Sequence, residues 1–260
     1  MTFGLLNIGL LIIFCTMLSA CDTVPSTNNN VGGSVYRETE LAARARTHTD
    51  LGAAYYQQNK LEIALDEFAR AAEIDPNYGQ AYNGLGLVFA ALGEDVKADA
   101  NFKKAIQVQP NSSESHNNYG SFLCTHKRYD ESIPQFLEAV KNPLYATPNL
   151  AYANAGICSA RKNDTKNAEI YLNKALQIEP LTHSAAQALA EIQFKRGEAG
   201  LAQKTLQNAL ITSPGPETLW LGIKIARVLG DKDAEASYAL ELRRQYPNAE
   251  QTRLLLSGQK

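Results

Sequence analysis

A set of aromatic, small and proline residues recurs along most of this chain at intervals of about 34 residues. That recurrence limits the fold more than any other feature. Its cleanest copy runs from 79 to 112. Tyr82, Leu85 and Phe89 fall three and four residues apart, so they share one face of a first helix. Ala98, Phe102 and Ala105 do the same on a second helix. The small residues Gly86, Ala98 and Ala105 let the two backbones approach closely. Gly93 stands between the helices, where a C-terminal cap needs a left-handed residue. Pro110 lacks an N–H and pushes Gln109 out of the helical region, so it ends the second helix.

Earlier in the chain the same pattern gives Leu51, Gly52, Tyr55, Ala64, Phe68, Ala71 and Pro76. Later copies give Tyr119, Gly120, Leu123, Ser132, Phe136 and Ala139, then Tyr152, Ala155, Gly156, Ala168, Leu172, Ala175 and Pro180. A fifth keeps Leu189, Ala190, Ala202, Leu206, Ala209 and Pro214, and a degenerate sixth starts near Trp220. Helix–turn–helix units with this spacing are tetratricopeptide repeats. The predicted fold is therefore all-α, a tetratricopeptide-repeat superhelix of about six repeats over 36–250. The repeats are 45–78, 79–112, 113–148, 149–182, 183–216 and 217–250, with a tail over 251–260. Such an array is one elongated domain.

The first 20 residues have a different character. Thr2 to Ala20 carry no charged side chain and are almost all apolar. Leu18-Ser19-Ala20-Cys21 resembles the bacterial lipobox, in which the apolar segment is cleaved and the cysteine becomes lipid-modified. The n-region departs from the secretory pattern in having no Lys or Arg. Residues 1–20 are expected to be a lipoprotein signal peptide and Cys21 the lipidation site. Several acyl chains anchor stably where one does not. Asp22 follows; in enteric bacteria an aspartate there resembles an inner-membrane retention signal. Residues 21–35 hold Pro25, three consecutive asparagines and Gly32-Gly33, and read as a flexible tether.

Three departures from the repeat pattern carry structural expectations. Pro134 lies inside the second helix of repeat three and predicts a late start or a kink. Lys141 to Pro148 replaces a tight turn and lengthens that period, so the array should bend or loosen there. In repeat six the turn at Gly230-Asp231 is one residue short, as terminal repeats often are.

Composition and motifs narrow the chemistry. A formal net charge of −2, from 25 basic and 27 acidic residues, lacks the basic footprint of a nucleic-acid binder. HExxH, GxSxG and phosphate-loop glycines are absent, so no catalytic residue and no cofactor is predicted. Cys124-x-His126 lacks a partner pair for zinc, and no metal is predicted. His48 and His116 fall at the first large position of their repeats, where packing is expected. Cys124 and Cys158 occupy repeat positions twelve and ten, about 200° apart on a helix. On that ground they are expected to be two separate thiols, not a bridge.

What remains is surface. Stacked first helices line the concave wall of such arrays. Repeat positions two, five, nine, twelve and thirteen point there, which selects Tyr56, Asn83, Leu87, Ala90, Asn117, Ser121 and Ile157 as partner-binding candidates. This mixed, partly apolar wall suits an amphipathic helix laid in a groove. Thr49, Ala53, Gly84 and Glu114 stand where chaperone-binding repeats carry a carboxylate clamp of Lys, Asn and Arg, so that clamp is absent.

Two segments are more specific than the repeat consensus. Asn117-Asn118-Tyr119-Gly120-Ser121-Phe122-Leu123, followed by Lys127-Arg128-Tyr129, resembles repeat three of the PilF/PilW type IV pilus biogenesis lipoproteins. Leu219 to Pro247, with Leu221-Gly222-Ile223, Ala226-Arg227-Val228 and Ala236-Ser237-Tyr238, resembles their C-terminal repeat. The resemblance implies a pilotin on the periplasmic face of the outer membrane, where it helps the secretin subunit assemble. The secretin subunit is the implied protein partner, and the membrane is reached through the lipid anchor. Repeats and lipobox fit equally well a different envelope scaffold, such as one recruiting peptidoglycan enzymes. Asp22 departs from what an enteric outer-membrane lipoprotein shows, and Cys124 and Cys158 lie outside the features the resemblance carries.

Overall fold

The structure is a computed structural model, and it describes residues 40–211 and 214–258. The lipobox, Cys21 and the tether lie outside the described residues. Within them the chain forms thirteen helices and no strand. Six helix pairs follow in order. They are α1 (Glu40–Gln57) with α2 (Leu61–Ile74), α3 (Gly79–Ala91) with α4 (Asp95–Val108), and α5 (Ser113–Thr125) with α6 (Tyr129–Ala139). Then come α7 (Pro148–Arg161) with α8 (Thr165–Ile178), α9 (His183–Lys195) with α10 (Ala199–Leu210), and α11 (Pro216–Leu229) with α12 (Lys232–Gln245). A short α13 (Glu250–Leu256) begins where the sequence predicts a tail.

One packing unit repeats within the first five pairs. The large residue of the second helix is buried against a small residue of the first, a glycine in four pairs and Ala190 in the fifth, between two small neighbours. Phe68, Phe102, Phe136, Leu172 and Leu206 are all buried, flanked by Ala64/Ala71, Ala98/Ala105, Ser132/Ala139, Ala168/Ala175 and Ala202/Ala209. Gly86 shows why the glycine is required: a Cβ there would come within 2.7 Å of the Phe102 ring. Burying a phenylalanine contributes about 1.5–3 kcal/mol.

Every turn inside a pair uses one left-handed residue. It is Asn59, Gly93, Lys127, Asn163, Gly197 and Gly230 in order, with φ from 57° to 87°. The next residue's N–H reaches back five residues, as in Lys60 to Tyr55 O and Glu94 to Phe89 O, satisfying a carbonyl the helix end leaves open. The first five turns have three residues between helices and the sixth has two, Gly230 and Asp231.

Pro134 does not delay α6, which starts at Tyr129 in phase with the other second helices. The helix instead ends early, at Ala139, and the extra residues before Pro148 form a loop with Tyr145 N–H donating to Asn142 O at 3.1 Å.

Successive first helices touch one another: α1 on α3, α3 on α5, α5 on α7, α7 on α9 and α9 on α11. No second helix reaches the next second helix. First helices are therefore crowded together and second helices splayed apart. A stack built that way curves with the first helices on its inner wall.

Candidate protein-binding groove

The inner wall is cross-linked by side-chain amides. Asn118 Nδ2 donates to Asn83 Oδ1 at 3.3 Å, joining α5 to α3. Asn154 Nδ2 donates to Asn117 Oδ1 at 3.0 Å, joining α7 to α5. Thr218 Oγ1 donates to Gln187 Oε1 at 2.6 Å, joining α11 to α9. Each amide lies close enough to the next first helix to spend part of its hydrogen-bonding capacity there, which fixes the pitch of the stack.

This places the predicted contact residues unequally. Asn83 is only 3% exposed, with its oxygen taken by Asn118, so it sits inside the stack. Asn117 is half-buried, and its backbone oxygen accepts from Ser121 Oγ at 3.0 Å. Tyr56 leans on the cluster of Ala64, Phe68, Leu85 and Val88. Leu87 and Ala90 lean on Ala98, Phe102 and Phe122. Ile157 has a different setting. It lines a hollow of about 390 Å³ between α7 and α9, together with Ala160, Arg161, Gln187, Ala188, Glu191, Ile192 and Lys195.

That hollow has an apolar floor and a charged rim. Ile157, Ala188 and Ile192 rest on the buried cluster of Ala153, Leu172 and Leu189. Arg161 and Lys195 stand on the rim, with Glu191 2.8 Å from Lys195. Gln187 and Glu191 occupy positions five and nine of repeat five, and Ser184 position two. They lie one period beyond the inner-wall positions of repeats one to four named from the sequence, so the same spacing reaches them.

One expectation is overturned beside this hollow. Cys124 of α5 and Cys158 of α7 are bonded as a disulfide, with Cα atoms 5.9 Å apart. The separation of about 200° holds for two faces of a single helix. Neighbouring helices meet through opposed faces, so residues on different faces of adjacent first helices are the ones that touch. Cys158 is fully buried, with Ser132 Oγ 3.2 Å from its sulfur, and Ser132 Oγ donates to Gly120 O at 2.7 Å.

Three of the four histidines sit in structural roles. His116 is buried between Gln135 Oε1 at 2.7 Å and Pro110 O at 2.8 Å. His48 lies 2.6 Å from Glu67. His126 Nε2 lies 3.0 Å from Asp95, and its Nδ1 lies 2.8 Å from Phe122 O. Among the described residues no group of His, Cys, Asp or Glu could hold a metal ion. The strongest charge cluster lies elsewhere, where α4, α5 and α6 meet. Asp99 accepts from Arg128 and Lys103, each at 2.6 Å, and from Tyr119 at 3.0 Å. Burial and that carboxylate push the Tyr119 hydroxyl up to about 12.

Comparison with known proteins agrees with this architecture. Profiles described as "TPR repeat" and "Tetratricopeptide repeat" match residues 52–93, 79–112, 101–133 and 151–180. The chain is 32% identical over 205 residues to the type IV pilus assembly protein PilF of Pseudomonas aeruginosa, covering 78% of this chain and 81% of that protein. The solved structure of Pseudomonas aeruginosa PilF superposes with a TM-score of 0.76 at 29% identity, over 85% of this chain and all of that one. A crystal structure of PilW, described as a widely conserved type IV pilus biogenesis factor, superposes with a TM-score of 0.73 at 30% identity, over 82% of this chain and 98% of its own. Repeat phase, inner-wall geometry and this degree of likeness together make the chain a member of the PilF/PilW family of type IV pilus biogenesis proteins.

Proposed function

We propose that this chain is a pilotin: a lipid-anchored assembly factor on the periplasmic face of the outer membrane that holds a segment of the pilus secretin subunit in its inner-wall groove. The observation that carries the reading is the hollow between α7 and α9. Its apolar floor at Ile157, Ala188 and Ile192 suits the apolar stripe of an amphipathic helix, and its rim of Arg161, Glu191 and Lys195 suits that helix's charged flank. Family membership supplies the pilus context. The lipobox ending at Cys21 supplies the anchor, since multiple acyl chains hold a protein to a bilayer through about 0.8 kcal/mol per buried CH₂. No helix among the described residues is long and apolar enough to cross a membrane.

The test is secretin assembly in cells. Arg161→Glu, on an exposed rim residue, and Ile157→Asp, on the floor, should each weaken co-purification of the secretin subunit by about tenfold or more. Heat-resistant secretin multimers should fall in parallel, with far-UV circular dichroism unchanged. Cys21→Ser should release the folded protein from the membrane fraction. Normal multimers with both groove variants would count against the groove, and unchanged membrane pelleting of Cys21→Ser would count against the anchor.

A further inference from the structure

The array ends unevenly. Helix α13 takes the place of a seventh first helix, but it has 7 residues against the 14 of α11. It is held by Thr252 Oγ1 donating to Tyr246 O at 2.6 Å and by Gln251 Nε2 donating to Glu217 at 3.3 Å. Leu255 packs on the cluster of Leu219, Ile223 and Leu242, so α13 covers the first half of α11. Among the described residues nothing covers the second half in the same way. Beside it lies a hollow of about 700 Å³, lined by Phe194 of α9, Lys224, Arg227 and Val228 of α11, Lys232 and Glu235 of α12, and Gly258. That volume is in the range of ligand pockets, which run roughly 300–1,000 Å³.

The lining is apolar and cationic at once. Val228 is 64% exposed, and Phe194 lines the same hollow. Three cations, Lys224, Arg227 and Lys232, and one carboxylate, Glu235, are among the lining residues. Glu235 accepts from Arg227 Nε at 2.7 Å and lies 3.7 Å from Lys232. Arg227 holds the Glu235 carboxyl below its ordinary range, so the carboxylate stays charged at neutral pH. Among the described residues that line the hollow, the two lysines Lys224 and Lys232 stand beyond the Arg227–Glu235 pair and give it a positive lining. Lys224 Nζ lies 5.8 Å from the centre of the Phe194 ring, an apolar neighbour that contributes no negative charge.

We propose that this hollow is a second docking site, separate from the α7–α9 groove, and that it takes an acidic segment of a partner protein. An apolar side chain of that segment seats against Val228 and Phe194, and an adjacent carboxylate meets Lys224 and Lys232. The positive lining selects an acidic partner over a neutral or basic one, because like charges brought together here are repelled. The recessed, apolar-walled setting favours a peptide over a flat anionic surface.

The test uses the full-length lipoprotein in detergent, probed on an array of random octapeptides and against phosphatidylglycerol vesicles. Peptides pairing Asp or Glu with Leu, Ile or Phe should be enriched. Lys224→Glu/Lys232→Glu should weaken them by about tenfold or more, and Val228→Asp should do so independently. Lys232 and Val228 are well exposed while Lys224 is half-buried, so the single variants Lys232→Glu and Val228→Asp should melt as the wild type does and should still weaken the peptides. Arg161→Glu should leave this binding unchanged, which separates the site from the secretin groove. The proposal is overturned if no acidic–apolar peptides are enriched, if their binding survives the charge reversal, or if the vesicles bind through these lysines as well as the peptides do.

Discussion

Repeats two and three share a packing unit yet differ in nearly everything that sets their backbone. Repeat two holds Gly93 at its left-handed turn, a 14-residue second helix, and Pro110 as a stop. Repeat three holds Lys127 at the same turn with φ of 60°, Pro134 inside an 11-residue second helix, and a longer exit loop. Phe102 and Phe136 are nonetheless equally buried. What repeat three loses in backbone chemistry it recovers in side-chain ties. Cys124 is bonded to Cys158, Ser132 Oγ donates to Gly120 O, and Arg128 grips both Asp99 and Glu131. A repeat array needs only that each unit present the right faces to its neighbours, so irregular backbone is tolerated wherever other contacts hold those faces.

The largest effect should come from the disulfide. It closes a loop with a sequence separation of 34, for which chain-entropy arguments give about 2–4 kcal/mol. Reduction, or Cys124→Ala/Cys158→Ala, should lower the urea midpoint accordingly, and the double variant should no longer respond to reductant. An unchanged midpoint would mean that repeat three stands without this tie.

A smaller effect tests the turn. A lysine in the left-handed region costs about 1–2 kcal/mol relative to a helical conformation, and glycine avoids that penalty. Lys127→Gly should raise stability by up to about 1 kcal/mol, and Gly93→Lys should lower it by a similar amount. Equal and opposite shifts in thermal denaturation would show that the two turns differ only in the residue they carry.

The smallest effect concerns the ion cluster. Burial alone would push the Asp99 carboxyl up, but hydrogen bonds from Lys103, Arg128 and Tyr119 outweigh it and leave it below the ordinary value. An unfolded aspartate titrates near 3.9. The stabilisation is therefore complete above that pH and is lost as pH falls through the lower folded value. Arg128→Met should cost less than about 1 kcal/mol at pH 7 once solvent screening is counted. It should also flatten the acid limb of a stability–pH curve. A curve that keeps its slope would remove Arg128 from the cluster.

Much of the architecture was visible in the order of residues. Phe68, Phe102, Phe136, Leu172 and Leu206 recur in phase because one packing unit is used five times, and periodic burial leaves periodic sequence. The short turn at Gly230-Asp231 was visible for the same reason. The partner surface was less so. Position five reads as inner wall, yet Asn83 is closed off by Asn118 from the next repeat, a contact no single-repeat rule contains. Lys127 gave no sign of a left-handed turn, since only its alignment with Gly93 reveals the shared φ.

Local periodicity alone therefore determined the helices, their pairing and the all-α superhelix, because each of these depends on residues a few positions apart. The Cys124–Cys158 bond, the hollow beside Ile157 and the half-covered face of α11 were decided only by stacking. Each depends on how far one repeat is turned against the next, an angle set by side chains meeting across an interface and written in neither repeat by itself.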